Sequence, residues 1–358
     1  MISDPSAEGF IMRTVEESDV ARIADFYADA FGGDVQKKIA AFRWIHFSNP
    51  CVDPERRYLL LLSNESVAGY WGLMPANFYV SGRPFRGAFS QEVLMRPSLR
   101  GRGLASMMLA EVQRRNPFQV GLWHNGKVVS VLQKAGWVEV GIFSPLKKVF
   151  RLHNFMRHRL TLRMLWTFFR TSLIPRRRAH SDRVSCEVVP VTRCGPEFDD
   201  FFYSVAPKFG VISERTSSIL NWRYVDIPYG TYTMLLAKRK GEVCGYAALR
   251  VETITTNFRK GIIVDFLARP DQPEALDCLI DKCDSIFREE KVDFSVCLAQ
   301  PQVFRRVLKS RGYRPVKRRP TDSLCIYDNE AFPDKQMMTN IDNWYLTYGD
   351  SDADMWHG

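Results

Sequence analysis

The chain has 358 residues, 46% apolar and 25% charged, with a formal net charge of +10. That length admits two domains with cores of their own, and the composition is that of a soluble globular chain, not of a disordered or collagen-like one. Eight cysteines without a Cys-x-x-Cys pair and six histidines without metal-ligand spacing argue against a zinc site and a secreted disulfide framework. With no signal pattern at the N-terminus and no run long enough to span a membrane, a cytoplasmic protein with reduced thiols is expected.

Residues 10–15 alternate like a strand. Glu16, Ser18 and Asp19 then open a helix to about Phe31, with Val20, Ile23, Ala24, Tyr27 and Phe31 on one face. Gly32-Gly33 ends it, and a second helix covers 35–47. Strands are expected at 57–62 and 67–74, joined at Asn64-Glu65, with a hairpin tip over 78–84.

Residues 91–115, QEVLMRPSLRGRGLASMMLAEVQRR, form the centre around which this half is organised. An apolar run, Val93 to Met95, stops at Arg96-Pro97, where proline removes a backbone donor. Arg100-Gly101-Arg102-Gly103-Leu104-Ala105 comes next, then a helical pattern. Strand, glycine-rich turn and helix in that order aim the free N–H groups of the helix start at the turn, where an anion is favoured. Neither Gly-Lys-Ser/Thr nor Gly-x-Gly-x-x-Gly is present, so the usual nucleotide signatures do not apply. A strand at 118–123, a helix at 127–135 and a last strand at 138–143 complete this half.

The run Arg-x-x-Gly-x-Ala, carried by Arg100, Gly103 and Ala105 after a strand ending in x-Pro, resembles the acyl-CoA pyrophosphate loop of the GCN5-related N-acetyltransferase (GNAT) superfamily. The element order over residues 9–150 is similar to that family's from end to end. The resemblance implies direct acyl transfer from an acyl-CoA, most simply acetyl-CoA, to an amine. It implies that Val93, Leu94 and Met95 pair with the pantetheine arm, that the Met95 amide serves as oxyanion donor, and that Arg100, Gly101, Arg102, Gly103, Leu104 and Ala105 hold the pyrophosphate. Glu92 is the expected general base, because an alkyl ammonium must lose a proton before it attacks; its alternative is an ordinary salt-bridged glutamate. The family's usual tyrosine acid is missing: the matching position is Leu132, and no tyrosine occurs in 101–150. His124 and Asn125 are the polar candidates nearby, with His124 as acid, substrate ligand or plain loop residue.

The second half repeats the markers of the first. Trp44 and Trp222 each stand six residues before a proline; Gly69-Tyr70 is echoed by Gly245-Tyr246, Glu92 by Asp265, and Gly136-Trp137 by Gly312-Tyr313, at offsets of 178, 176, 173 and 176 residues. The turn after Pro270 carries Asp271 and Glu274 in place of glycines and arginines, which repels phosphate. The expected fold is α/β: two tandem GNAT-like domains, each a mixed, mostly antiparallel twisted sheet flanked by helices. The expected divisions are 1–150 catalytic, 151–183 connector, 184–330 degenerate copy and 331–358 tail. The connector holds nine arginines against one aspartate. Its segment 159–178 reads as a helix buried between domains, with a peripheral contact to the inner face of the membrane as the alternative. In the tail, alternating Asp350, Asp352 and Asp354 are more often a solvated end than a cation site, and the aromatics around them suggest docking. No nucleic-acid motif is visible. The acceptor expected is a small primary amine, with an amino sugar of bacterial surface-polysaccharide synthesis first by resemblance. Aminoacyl transfer from charged tRNA and a non-catalytic membrane-surface module are the alternatives.

Overall fold

The computed structural model describes residues 9–31, 34–53, 59–63, 66–124, 126–152, 154, 186–228, 230–317, 319, 321–329 and 335–351. The first half contains β1 (Phe10–Thr14), α1 (Val20–Phe31), α2 (Val35–Phe47), β2 (Leu59–Ser63), β3 (Ser66–Val80), β4 (Arg83–Met95), α3 (Leu104–Arg115), β5 (Phe118–Leu122), α4 (Gly126–Lys134), β6 (Val138–Ile142) and β7 (Leu146–Val149). The second contains β8 (Glu187–Val191), α5 (Pro196–Val205), β9 (Val211–Ser213), α6 (Ser217–Leu220), β10 (Thr233–Arg239), β11 (Glu242–Thr255), β12 (Phe258–Ala268), α7 (Glu274–Glu289), β13 (Phe294–Cys297), α8 (Gln302–Ser310), β14 (Arg314–Pro315), β15 (Ser323–Asp328) and α9 (Lys335–Thr339). The segment 159–178 lies outside the described residues. Among the described residues no helix is long and apolar enough to cross a membrane.

Two mixed sheets with flanking helices form the frame. The first runs β1-β2-β3-β4-β5-β15-β6 and the second β8-β10-β11-β12-β13-β7-β14. Each has one parallel pair, β4 with β5 and β12 with β13. Expected strand boundaries hold to a residue or two, except that β3 runs on to Val80, six residues past the expected end at Met74, and β4 is 13 residues long and begins at Arg83. Its outer part carries Arg86, Ser90, Gln91 and Glu92 among apolar residues, and that interruption hides it from an apolar-run search.

The last strand of each half crosses to the other sheet. β15 lies between β5 and β6, with Leu324 opposite both Leu122 and Gly141. β7 lies between β13 and β14, with Leu146 opposite both Cys297 and Pro315. Both strands are inserted in mid-sheet, so Leu146, Leu324 and Cys325 are fully buried. The halves also meet at paired tryptophans: Trp44 Nε1 donates to the Trp222 carbonyl at 3.1 Å, and Trp222 Nε1 to the Trp44 carbonyl at 3.2 Å.

The helices cover the first sheet by ordinary amphipathic packing. α1 buries Val20, Ile23, Phe26 and Tyr27, and its start is held by Asp19, which accepts from the Glu16 amide at 2.8 Å and pairs with Arg13 at 2.6 Å. α3 buries Leu104, Met108, Leu109 and Val112 on the opposite side, against Trp71, Leu73 and Ala88. Each of these side chains contributes about 1.5–3 kcal/mol relative to exposure, which is enough to pin the helix start against the sheet.

Candidate active site

The parallel pairing of β4 with β5 ends at Ser90 opposite Gly121, yet β4 continues to Met95. The two strands therefore part, leaving a gap in the sheet. The Arg96 amide donates to the Ala68 carbonyl at 2.9 Å, and Gly69 stands opposite Met95. In an antiparallel ladder such bonds alternate, so the N–H and C=O groups of Val93 and Met95 point away from β3, into the gap. Arg100 Nε reaches the Met95 carbonyl at 3.3 Å from the far side of the turn.

The turn closes one end of the gap. Gly101 and Gly103 have φ of +81° and +78°, values that side chains adopt only at a cost, and a Cβ built on either meets nothing within 4 Å. Gly103 caps α3, whose Ser106 and Met107 amides bond back to its carbonyl. Among the described residues the amides of residues 101–105 have no backbone acceptor. Open space, free donors and a helix N-terminus together make an anion cradle. Arg102 leans on the Phe10 ring, 5.6 Å from its centroid.

On the opposite face of the sheet, a bulge sets two residues of β4 against one of β3: Trp71 faces Val93 and Leu73 faces Ser90, leaving Gln91 and Glu92 opposite Gly72. Both side chains consequently turn to the face that meets the second half. Gln91 Nε2 lies 3.3 Å from Met74 Sδ. Tyr70 Oη donates to Glu92 Oε2 at 2.5 Å and lies 3.1 Å from Tyr27 Oη. Burial, above all, raises the Tyr70 phenol well above 10, so it keeps its proton and remains a donor to Glu92. A cavity of about 40 Å³ opens between the halves, with Met74, Asn77 and Phe89 on one side and Glu214, Trp222 and Tyr224 on the other; Met74 links it to Gln91, and neither Glu92 nor Tyr70 lines it.

His124 follows β5 and folds back, bringing Nε2 against Gly121. It is buried, and Nε2 has no partner among the described residues. Burial pushes its imidazole from 6.5 down to about 4, so at neutral pH it is an uncharged ring. The unfolded chain binds a proton between those values and the folded chain does not. Stability should therefore rise with pH across that window, by about 2–3 kcal/mol from this group, and fall again on acidification. Urea unfolding at pH 4.5 and 7 should show this slope in the wild type and a smaller one in His124→Gln. Asn125 lies outside the described residues. Leu132, at the position of the family's tyrosine, is buried among Leu109, Val129 and Trp137.

The second half has the same gap, but it is filled. β12 and β13 part after Ile263 opposite Cys297, and β12 runs on to Ala268. The C-terminal segment enters there. The Tyr345 hydroxyl donates to the Phe266 carbonyl, and the Gln300 amide to the Leu346 carbonyl at 3.2 Å. Thr347 Oγ1 donates to Asp265 at 2.9 Å. Asp265 also accepts from Tyr246 at 3.0 Å, repeating the Tyr70–Glu92 pair, but Arg215 joins it at 3.2 Å and binds Asp350 at 2.7 Å. Asp350 is thus half of a buried ion pair, while Asp352 and Asp354 lie outside the described residues. Asp271, at the acidic turn, pairs with Lys208 at 2.5 Å. Sequence patterns did not disclose Tyr27, Tyr70 or Arg215; only the shared Gly-Tyr marker hinted at the tyrosines.

Residues 12–117 match the family model described as acetyltransferase (GNAT) domain. Over that stretch, less than half of the chain, the sequence is similar to a GNAT acetyltransferase domain. The match takes in β4, the turn and α3, and stops before β5. A GCN5-related N-acetyltransferase from Anabaena variabilis ATCC 29413 has a similar structure, with a TM-score of 0.61 and 14% identity over 88% of this chain and 72% of that one. Saccharomyces cerevisiae N-myristoyltransferase, solved with myristoyl-CoA bound, gives a TM-score of 0.57 and 10% identity over 89% of this chain and 82% of its own. At these identities the likeness is one of fold, and its coverage extends beyond residues 12–117 into the second sheet. No curated protein is a significant match to the sequence.

Proposed function

We propose that the chain is an acyl-CoA-dependent N-acyltransferase, most simply an acetyltransferase, working at the gap between β4 and β5. The observation that carries this is the meeting, in one gap, of an unpaired β4 edge with a glycine-opened, donor-rich turn. The amides of residues 101–105 and the Arg100 guanidinium would hold the pyrophosphate, and the Val93 and Met95 backbone groups the pantetheine arm. The Met95 N–H would donate to the thioester oxygen as it gains charge. Glu92, on the other face, would take a proton from the acceptor ammonium, directly or through water. The amine nitrogen then bonds to the acyl carbon as the carbon–sulfur bond breaks, and solvent can protonate a thiolate of such modest basicity.

The acceptor in this reading is a primary amine entering between the halves, along Gln91 and Glu92. An amino sugar of surface polysaccharide remains the first choice by resemblance alone. Peripheral membrane contact through 159–178 is a separate proposal, to be tested by flotation with anionic vesicles at rising salt.

Calorimetry with acetyl-CoA tests the site. About one site per chain is expected, because Tyr345 and Thr347 occupy the second gap. Arg100→Ala should weaken binding by about 1.5–3 kcal/mol if its phosphate contact is charge-assisted, and Gly103→Glu should abolish it. Two equal sites, or undiminished binding by Gly103→Glu, would overturn the assignment.

A further inference from the structure

The C-terminal segment that fills the second gap also touches the first. Tyr348 lies in the tight turn closed by Thr347 and Asp350, where the Thr347 amide donates to Asp350 Oδ2 at 2.8 Å. Arg215 and Asp265 anchor that turn in the second half. From there the Tyr348 ring stacks on Trp123, with centroids 5.8 Å apart and planes inclined by 7°.

Trp123 is an unusual residue to find in its conformation. Its φ is +64°, in the left-handed region that bulky side chains avoid. Strain of this kind persists only where the surroundings over-determine it. Among the described residues the backbone contributes one bond here, from the Trp123 amide to the Ser323 carbonyl at 3.3 Å. The indole Nε1 is buried without an acceptor among the described residues, so no polar contact orients the ring. Two aromatic contacts do: Tyr348, and Phe143 edge-on at 4.6 Å. The backbone reversal at Trp123 is what sends the next residue, His124, back onto Gly121 at the end of the β4–β5 pairing.

We propose that Tyr348 is a positioning residue for the first gap: anchored in the second gap, it holds Trp123 in its left-handed conformation and thereby keeps His124 folded against Gly121. The two gaps are then coupled, the filled one setting the geometry at the mouth of the open one. Its bearing on catalysis rests on the acyl-transfer reading; the contact itself does not.

The test is the titration of the His124 imidazole by NMR in the full-length chain, with calorimetry against acetyl-CoA alongside. In the wild type and in Tyr348→Phe, which keeps the stacked ring, the imidazole should titrate near the depressed value of about 4. In Tyr348→Ala it should move toward the ordinary value of about 6.5, as solvent reaches it. Trp123→Ala gives a second route that leaves the C-terminal segment untouched. Alanine also disfavours a positive φ but lacks the ring that is held there, so the backbone should relax and release His124. Trp123→Gly adopts that φ freely and should retain His124 in place. An imidazole that stays near its wild-type value in both Tyr348→Ala and Trp123→Ala, or a Tyr348→Phe variant that behaves like Tyr348→Ala, overturns the proposal. Failure of the wild type to bind acetyl-CoA would instead overturn the acyl-transfer reading and leave the His124 result standing.

Discussion

Glu92→Gln is expected to lower acyl transfer from acetyl-CoA to primary amines by about 10²–10⁴-fold, the usual range for loss of a general base. Acetyl-CoA affinity should be nearly unchanged, because the turn and the β4 edge are untouched. Glutamine can still accept the Tyr70 hydrogen bond, so the fold around Tyr27 and Tyr70 should persist. Turnover should partly recover at high pH, where more of the acceptor is already a free amine. Tyr70→Phe separates two roles. If the phenol only fixes the direction of Glu92, that variant should retain the pH profile and lose rate through misplacement. Normal turnover by Glu92→Gln at neutral pH would remove Glu92 from the reaction. A crippling effect of Asp265→Asn measured on turnover, with stability intact, would move attention to the other half.

The second large effect is on stability. Arg215→Met should destabilise the chain by about 3–5 kcal/mol, the cost of stranding buried charges. Its guanidinium bridges Asp265 and Asp350, and all three side chains are 3% exposed or less. Replacing the three together, Arg215→Met with Asp265→Asn and Asp350→Asn, should recover much of that loss, since what is costly is the unpaired charge and not the absence of the pair. Arg43→Ala, by contrast, breaks an ion pair with Glu17 whose side chains are more than half exposed, and should cost under about 1 kcal/mol. Urea unfolding of the wild type and these three variants decides it. A loss for Arg215→Met no larger than for Arg43→Ala would mean that the network contributes little.

The turn at 100–105 was legible because its chemistry is local: two glycines, two arginines and a helix start within a few residues. The helices of the first half were legible from their periodicity, and the matched spacings of tryptophans, glycines and carboxylates anticipated two sheets of one strand order. What escaped is non-local. Nothing in Leu146–Val149 or Ser323–Asp328 says which sheet will take them, because an apolar strand satisfies its ladder equally well beside any partner. The bulge that turns Gln91 and Glu92 to one face breaks strict alternation, so spacing alone assigns them to opposite faces. The Tyr70–Glu92 contact spans 22 residues and the Arg215–Asp350 contact 135. The aromatic tail was expected to dock, and its described part, up to Ser351, does, but its destination depends on a gap that exists only once β12 and β13 have parted.

The exchange of β7 and β15 has a consequence for how the chain is made. As the polypeptide leaves the ribosome, β5 and β6 are complete nearly two hundred residues before the strand that belongs between them is synthesised. Until then each would expose an unpaired edge, and edges of that kind invite pairing with another chain. Neither half can close on its own, so the last step of folding must join both sheets at once. Unfolding should accordingly be a single transition in which both halves lose structure together, and either half expressed alone should associate or be degraded. Pairings this distant in sequence also predict slow folding for a chain of this size, with the emerging first half as the stage most dependent on chaperones.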